Sequence, residues 1–390
     1  MKNWSETTLK KVAKKIDYGY TASATQTNTG VKFLRITDIA HSSIDWDMVP
    51  FCEIAENDLL KTCLSENDIV IARTGATVGY AKQLGANPPQ SVFASYLVRV
   101  TLKDDVSKKY VGILVESNNY KNYINTIAGG SAQPNANAKD LTSYPFYLPP
   151  KHIQQKIAAI LSAYDDLIEN NKLRIALLEK MAEEIYREWF VRLRFPGHGS
   201  VKVVKGVPEG WEEKKLNEIV ELCYGKALKA EERVSGDYPV FGSSGVVGTH
   251  NKPLVKAPGI IVGRKGNVGS IHWTDCDFFP IDTAYYVQSN ISFYYLFFLL
   301  QSMNFINNDA AVPGLNRNQA YSNLLLLPPD SVINEFSAKA KQLFELKDNL
   351  SKQNEQLTQT RDSLLPRLIS GKLSVENLII QFPPGMEGKV

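Results

Sequence analysis

The sequence predicts an α+β protein in which two similar mixed α/β modules are joined by two long helices that form an antiparallel coiled coil. Three observations lead to this prediction. Short motifs recur in the same order in both halves of the chain, each copy ends in Leu-Pro-Pro, and a long stretch with helical periodicity follows each Leu-Pro-Pro. The 390 residues allow two or three domains.

The repeat carries the prediction of two modules with a pseudo-twofold internal repeat. The offset between matched positions falls from 207 residues at Trp4 to 179 at Leu148, so the second copy is shorter and its differences are spread through loops. Several matches in one order make a chance resemblance the poorer explanation. The matched positions include Trp4 with Trp211, Leu9 with Leu216, Gly19 with Gly225, Arg73 with Arg264, Gly79 with Gly269, Tyr120 with Phe305 and Leu148 with Leu327.

Each module is expected to mix helices and strands. Short β-branched and aromatic runs bounded by glycine turns predict strands. These runs are Phe33 to Ile39, Ile69 to Ala72, Tyr96 to Thr101, Ile260 to Val262 and Ala284 to Val287. We place the first module at 1–150, a central helical spacer at 151–199, the second module at 200–330, and a C-terminal helical spacer with a tail at 331–390.

The two spacers are predicted to form long helices. Neither Pro nor Gly occurs from Lys151 to Phe195 or from Asp330 to Leu365, and Pro196 and Pro366 are predicted to end the helices. The first helix, of about 45 residues, would be roughly 65 Å long. Apolar residues recur every three or four positions and form a narrow seam. The seam includes Ile157, Tyr164, Leu167, Leu178, Met181 and Ile185 in the first helix, and Leu343, Leu346, Leu350 and Leu357 in the second.

A narrow seam on so long a helix needs a partner, and the nearest candidate is the helix of the other copy. An antiparallel pair would return the chain toward the first module. The alternative is two separate helices, each packed on its own module. Asn170-Asn171 and Gln353-Asn354 interrupt the seam. They are either buried residues that fix the register or solvated positions on a loosely packed stretch, and we favour the second interpretation slightly.

Composition excludes several classes of protein. Hydrophobic residues make up 44% and charged residues 22%, as in ordinary globular proteins. The net charge of +3 argues against a bulk polyelectrolyte binder, although a local basic surface is compatible with it. Four dispersed cysteines without a CxxC pair indicate free thiols rather than a disulfide scaffold or zinc finger. With no signal peptide and no apolar run near the length of about 20 that a membrane span needs, we expect a cytoplasmic protein without membrane contact.

The catalytic motifs that the sequence resembles are all incomplete or unfavourably placed, which predicts a protein that binds and does not catalyse. Asn87-Pro88-Pro89-Gln90 resembles the NPP(Y/F/W) motif of DNA adenine methyltransferases, but Gln90 stands where the aromatic residue is needed. The PD…ExK pattern of metal-dependent nucleases is matched by Asp330, Glu345 and Lys347. These residues fall on one predicted long helix, however, so their side chains cannot converge on a metal ion. Gly225-Lys226 lacks the frame of a phosphate-binding loop. We therefore expect no cofactor and no metal on this chain.

Two related modules joined by a coil suit a ligand that itself repeats, and duplex DNA is such a ligand. The modules differ in their loops, so they are expected to read different half-sites. Two alternatives stay open: a coiled-coil scaffold that does not bind DNA, and a self-sufficient DNA adenine methyltransferase. The first module has a net charge of +2 and the second of −1, from 12 Lys and Arg against 13 Asp and Glu. Partner subunits are therefore expected to supply part of the positive surface.

On these features the chain resembles the specificity subunit of Type I restriction–modification systems over nearly its whole length. The resemblance lies in the tandem order and in the motifs RTGATVG, RKGNVG, YPVFGSSG, GGSAQPN and AVPGLNRNQ, with both Leu-Pro-Pro helices. It implies two target-recognition domains, each reading one part of a split asymmetric DNA sequence, and a coil that acts as a ruler for the unread spacer. It also implies two modification subunits, restriction subunits, and S-adenosylmethionine, ATP and Mg on those partners.

The candidate DNA-contacting residues fall into two groups. Residues at matched positions beside glycine turns are expected to hold phosphate or the fold, or to read guanine. They are Arg73, Thr74, Arg264 and Lys265. Base readout is expected in segments that differ between the copies. The candidates there are Gln133, Asn135, Ser243, Ser244, Lys252, Asn316, Arg317 and Asn318.

Overall fold

The computed structural model describes residues 4–40, 43–128, 135–305 and 314–382. The chain divides into two compact units. Unit 1 is Met1–Glu169 with Glu355–Val390, and unit 2 is Asn170–Asn354. Each unit therefore contains one module and one end of each long helix.

Unit 1 is built around a four-stranded antiparallel sheet of order β2-β7-β4-β5. Strands β1 and β8 form an antiparallel pair beside it, and β3 and β6 form a parallel pair. The strands are β1 (Ser5–Thr8), β2 (Ala13–Tyr18), β3 (Lys32–Leu34), β4 (Ile69–Ala72), β5 (Ala81–Gln83), β6 (Ser91–Phe93), β7 (Leu97–Leu102) and β8 (Pro145–Leu148). The helices are α1 (Leu9–Val12), α2 (Ile36–Ile39), α3 (Glu56–Thr62), α4 (Lys108–Glu116), α5 (Asn118–Ala128), α6 (Ala138–Thr142) and the long α7 (Lys151–Tyr186).

Unit 2 repeats this plan. Its four-stranded antiparallel sheet has the order β12-β18-β15-β16, β11 pairs with β19, and β13 pairs in parallel with β17. Strand β14 adds a hairpin to β13. The strands are β9 (Val203–Val204), β10 (Val207–Pro208), β11 (Glu212–Lys215), β12 (Glu221–Tyr224), β13 (Tyr238–Gly242), β14 (Gly245–His250), β15 (Gly259–Gly263), β16 (Ile271–Thr274), β17 (Phe279–Pro280), β18 (Ala284–Gln288) and β19 (Leu324–Leu327). The helices are α8 (Leu216–Ile219), α9 (Phe293–Ser302), α10 (Arg317–Tyr321) and the long α11 (Asp330–Ile369).

Each unit has its own hydrophobic core, which includes residues of both long helices. In unit 1, Ile157 of α7 and Leu368 of α11 share a core with the four-stranded sheet. In unit 2, Tyr186 of α7 and Phe336 of α11 share a core with β15 and β18. Packing against the modules therefore stabilises the ends of both helices.

The long helices pair antiparallel within each unit. In unit 2, Asn171 bonds to Asn354 and Glu179 pairs with Lys347, so the partner's number falls as the residue number rises. In unit 1, Asp165 pairs with Arg361 at 2.6 Å, while Lys156 bonds to the backbone of Glu376, which lies beyond the end of α11. The predicted antiparallel coiled coil is confirmed, and the alternative of two separate helices is wrong.

The buried seam follows a strict alternation of three- and four-residue steps. On α7 and the turn that follows it, the buried or half-buried positions are Ile157, Leu161, Tyr164, Ile168, Asn171, Ile175, Leu178, Ala182, Ile185 and Trp189. On α11 they are Ile333, Phe336, Ala340, Leu343, Lys347, Leu350, Asn354, Leu357, Arg361, Leu364 and Leu368.

Three residues that we expected in the seam are exposed. Leu167, Met181 and Leu346 have exposed fractions of 53%, 44% and 53%. The seam continues instead through Ile168 and Ala182 on α7 and through Lys347 on α11. The regular alternation of three- and four-residue steps places Ile168, Ala182 and Lys347 on the buried side of the helices, each one position beyond the leucine or methionine that we expected there.

The polar interruption of the first helix was also interpreted wrongly. Asn171, for which we slightly favoured a solvated position over a register-fixing one, is 6% exposed and bonds to Asn354 across the coil. Its neighbour Asn170 is exposed and lies off the seam. A buried asparagine in the seam of a coiled coil fixes the register of the two helices.

Both predicted helix stops need correction. Helix α7 ends at Tyr186 and continues as a π-helical turn, Arg187–Val191, so it stops before Pro196. Pro366 lies inside α11, which runs on to Ile369. A proline removes one N–H donor from the ladder, and the bond from Ser370 N to Pro366 O continues the last turn beyond it.

The run from Phe33 to Ile39 is not a single strand. Strand β3 ends at Leu34, and α2 begins at Ile36. Asp38 accepts hydrogen bonds from the backbone N and from the guanidinium of Arg35, which closes the first turn of the helix. This local capping outweighs the β-branched character of the run.

Candidate nucleic-acid interface

Each module places an arginine against a tyrosine at the same position in its sheet. In the first module β2 ends at Tyr18, and the guanidinium carbon of Arg73, directly after β4, is 5.0 Å from the ring centroid of Tyr18. In the second module β12 ends at Tyr224, and the guanidinium of Arg264, directly after β15, is 4.9 Å from that ring. Both pairs lie within the range of a cation–π interaction.

A glycine after each tyrosine fixes where the ring lies. A Cβ atom on Gly19 would stand 2.2 Å from the carbonyl oxygen of Ala94, and one on Gly225 would stand 2.2 Å from that of Ile281. Any side chain there would force the two backbone segments apart. The tyrosine is thereby held at the surface, with about half of Tyr18 (47%) and of Tyr224 (48%) exposed.

A second loop meets the arginine in each module. Thr74 forms a β-bridge with Asn135, and Ala136 N donates to the carbonyl of Arg73 at 2.9 Å. In the second module Lys265 forms the bridge with Gly314, and Leu315 N donates to the carbonyl of Arg264 at 2.8 Å. The fold therefore brings candidates from two distant segments together in both modules. Gln133 lies outside the described residues.

The second module adds another arginine to its tyrosine. Arg317, the first residue of α10, has its guanidinium 5.1 Å from the ring centroid of Tyr224 and 5.8 Å from that of Tyr321. The corresponding first residue of α6 in the first module is Ala138. Tyr224 thus lies beside two guanidinium groups, whereas Tyr18 lies beside Arg73 alone among the described residues.

The asparagines that precede α6 and α10 have a shared structural task. Asn137 accepts a hydrogen bond from Asp140 N, and Asn316 accepts from the backbone N of Asn318 and of Gln319. The side-chain oxygen of Asn316 is therefore engaged in capping the helix. Asn318, the second residue of α10, is exposed.

The charges at the two sites are largely uncompensated. Arg264 donates to the carbonyl of Asp282 at 2.9 Å, and Lys265 is exposed. Across the described ranges, no carboxylate lies within ion-pair distance of Arg73, Arg264 or Arg317, and the buried Nε of Arg73 has no hydrogen-bond partner. Burial raises the pKa of Tyr285 and the nearby Tyr224 adds to this, while Arg264 acts in the opposite direction. A module of net charge −1 therefore has a locally positive site.

The β13–β14 turn borders the second site. Ser243 is buried, its carbonyl accepts from Ser270 Oγ and His272 Nε2, and a Cβ on Gly266 would touch its Oγ at 3.4 Å. Ser244 is exposed beside it. Lys252 follows the far end of β14, so the hairpin separates it from this turn.

Sequence reasoning missed the tyrosines. Tyr18 and Tyr224 each precede the repeated glycine, so the signal was a Tyr-Gly pair shared by the two copies. Tyr96 was also missed. It is 60% exposed, and its carbonyl accepts a hydrogen bond from Arg73 N at 3.0 Å. Exposed aromatic rings beside cations are common at surfaces that bind nucleic acid.

Two other kinds of site are absent from the described part of the chain. It contains no group of three or more His, Cys, Asp or Glu side chains arranged to hold a metal ion. None of its helices combines the length and the apolar character that crossing a membrane requires.

Comparison with known proteins gives one consistent result. The family described as Type I restriction modification DNA specificity domain matches residues 1–180 and 208–359. The chain is 27% identical over 308 residues to the Type I restriction enzyme MjaIX specificity subunit of Methanocaldococcus jannaschii, with 71% of each protein covered. It is 24% identical to the HindI specificity subunit of Haemophilus influenzae, with 69% of this chain and 78% of that protein covered.

A solved structure shares the fold. The crystal structure of the Type I restriction–modification S subunit from M. genitalium matches with a TM-score of 0.58 and 19% sequence identity, over 94% of this chain and 96% of that one. The likeness extends over both modules and both long helices.

Proposed function

Because this chain belongs to the family of Type I restriction–modification DNA specificity domains, we propose that its two modules each read one part of a split DNA sequence. The chain is then the DNA-recognition component of such a system and not an enzyme itself. One observation carries the proposal: the same arginine–tyrosine site occurs in both modules, while the loops around it differ. A shared anchor with different neighbours suits two related but unequal half-sites.

The reading domains are residues 1–150 and 200–330, and the coil formed by 151–199 and 331–390 sets the spacer between the half-sites. The continuous α7 and α11 and their antiparallel pairing support this assignment. A helix advances about 1.5 Å per residue, so the number of heptads in the coil would define the unread length of DNA.

Arg73 and Arg264 hold phosphate, because a residue that is the same in both modules cannot distinguish two sequences. Each guanidinium is fixed over its tyrosine, and Arg264 still has N–H groups besides the one that it donates to Asp282. Thr74 and Lys265 lie directly after these arginines, and Lys265 is exposed.

Base readout falls to the segments that differ between the modules. Exposure supports Asn135, Ser244 and Asn318 in this role, and the position beside Tyr224 supports Arg317. Ser243 acts by placing Ser244, since it is buried. The side-chain oxygen of Asn316 caps α10, so only its side-chain amide nitrogen is available to contact DNA. Lys252 would contact DNA at the far end of the β13–β14 hairpin.

Other subunits of the restriction–modification system are the partners. We infer two modification subunits that bind S-adenosylmethionine, and restriction subunits that use ATP and Mg. The family does not favour the two alternatives, a self-sufficient adenine methyltransferase and a scaffold that does not bind DNA. The local positive charge at Tyr224 supports DNA rather than protein as the ligand of this surface.

Co-expression with the modification subunit of the same system, followed by methylome sequencing, tests the proposal. The expected result is one bipartite motif with a fixed unread spacer. The purified chain with S-adenosylmethionine alone should methylate nothing. Methylation by the chain alone would establish the methyltransferase alternative, and a complex that gives neither a methylated motif nor a sequence-specific footprint would establish the scaffold.

A further inference from the structure

Arg317 distinguishes the second site from the first. Both modules have the tyrosine, the following glycine, the arginine after the sheet strand and the capped short helix, but the first helical residue is Arg317 in one and Ala138 in the other. The rest of the site is repeated, so this substitution changes what the second site can contact without changing how it is built.

The guanidinium of Arg317 is held in position and keeps its donors. Its distances of 5.1 Å to the Tyr224 centroid and 5.8 Å to the Tyr321 centroid place it beside two rings. Tyr321 is itself fixed, because its hydroxyl accepts a hydrogen bond from Leu222 N at 2.8 Å. With the described residues Arg317 makes no side-chain hydrogen bond and no ion pair, so its planar set of N–H donors is available to a ligand.

Two like charges share one ring. Arg264 and Arg317 both lie about 5 Å from the Tyr224 centroid, and no described carboxylate lies within ion-pair distance of either. Their mutual repulsion is unfavourable in the free protein and is relieved when an electron-rich ligand enters. A phosphate oxygen and the O6/N7 edge of guanine are the two DNA groups that meet arginine in this way.

We propose that Arg317 reads a guanine in the half-site bound by the second module, while Arg264 beside it holds phosphate. This inference rests on the proposed function, and it names one base that is read and the residue that reads it. The division follows from the repeat, because Arg264 has a counterpart in Arg73 and Arg317 has none. Bidentate contact with O6 and N7 is the commonest arginine–base pairing, and it needs a guanidinium plane that is already oriented.

The wild-type complex gives the first test. Methylome sequencing should show at least one invariant G·C pair in the half-site read by the second module. That half-site is identified by exchanging residues 200–330 for those of a relative and finding which part of the motif changes. A second half-site without any G·C pair overturns the inference while leaving the proposed function intact. Absence of any bipartite motif means that the proposed function itself has failed.

Variants give the second test. Arg317→Ala should reduce discrimination at that G·C pair by roughly 5- to 150-fold, with the first half-site unchanged as the internal control. Arg317→Lys should lose discrimination similarly, because a lysine keeps the charge but not the planar pair of donors. Lys256→Ala removes one charge from the same module at an 85% exposed side chain paired with Asp277, and should leave the motif unchanged.

Two outcomes contradict the inference. If Arg317→Ala weakens binding equally for every base and Arg317→Lys restores it, Arg317 holds phosphate. If both variants methylate with the wild-type motif and efficiency, Arg317 contacts no DNA. Thermal unfolding of Arg317→Ala checks that the module still folds. If it does not, Arg317→Lys, which keeps the positive charge and the aliphatic stem, tests the inference.

Discussion

Asn171 donates a hydrogen bond from its side-chain nitrogen to the side-chain oxygen of Asn354 over 3.0 Å, within the buried seam of the coil. Glu179 with Lys347 and Asp165 with Arg361 flank this bond on either side along the helices. The middle of the coil therefore contains polar pairs among its apolar seam residues, while the ends of both helices lie in apolar cores shared with the modules. Such polar pairs specify the register of a coil and lower its stability.

Replacing both asparagines by leucine should raise stability and relax the register. The double variant Asn171→Leu with Asn354→Leu fills the seam with apolar volume, and a gain of about 1 kcal/mol would raise Tm by roughly 1 °C in a chain of this size. Asn171→Leu alone should lower Tm, because Asn354 then loses this hydrogen bond in a buried layer. Differential scanning calorimetry measures both. An equal rise of Tm in the single and the double variant would show that Asn171 and Asn354 are not coupled by their hydrogen bond.

Charge exchange tests the neighbouring layer. Glu179→Lys puts two ammonium groups where an ion pair of 3.4 Å now lies and should lower the free energy of unfolding by a few tenths to about 1 kcal/mol. Adding Lys347→Glu restores opposite charges and should recover most of the loss. The control is salt: at about 1 M NaCl the difference between the variants should shrink, because Glu179 is 57% exposed. A double variant less stable than either single one would mean that the pairing does not couple these residues.

The repeated glycines should be equally intolerant of a side chain. Gly19→Ala and Gly225→Ala each push a Cβ to 2.2 Å from a backbone oxygen, so we expect losses of several kcal/mol and displacement of Tyr18 or Tyr224. Gly85→Ala is the matched control, since nothing lies within 4 Å of its Cβ. Urea unfolding monitored by fluorescence compares the three. Wild-type stability of both Gly19→Ala and Gly225→Ala would show that the close approaches do not constrain the fold.

The sequence predicted the parts of this fold that repeat or that follow a period. The tandem modules, the two helices and the strands at Ile69 and Ile260 could be predicted because matched motifs and heptads need no knowledge of distant partners. The Arg73–Tyr18 stack could not, since the two residues meet only when β4 and β2 join one sheet through β7. Asn171 was misjudged for the same reason, because its burial depends on a residue of the other helix.

The shared arginines should govern affinity rather than sequence preference. If Arg73 and Arg264 each hold one phosphate, Arg73→Ala and Arg264→Ala should each weaken binding to all sequences and reduce the slope of log K against log salt concentration by about 0.9. The motif in the methylome should stay the same. Lys256→Ala again serves as the charge-matched control. Affinity and slope equal to wild type for Arg264→Ala would contradict this role and leave that arginine a structural one, in its bond to the Asp282 carbonyl and its contact with Tyr224.

Shortening the coil by one heptad tests whether it measures the spacer. Removing residues 167–173 and 352–358 together deletes one heptad from each helix, including the Asn171–Asn354 pair. The Asp165–Arg361 and Glu179–Lys347 pairs stay in register, because both helices are shortened equally between them. Each helix loses about 10 Å, so the unread spacer should shorten by up to about three base pairs while both half-sites persist. Deleting 167–173 alone is the control, because it sets Asp165 one heptad away from Arg361 and should abolish methylation. An unchanged spacer in the double deletion would contradict the ruler, since both half-sites would then be positioned by something other than the length of the coil.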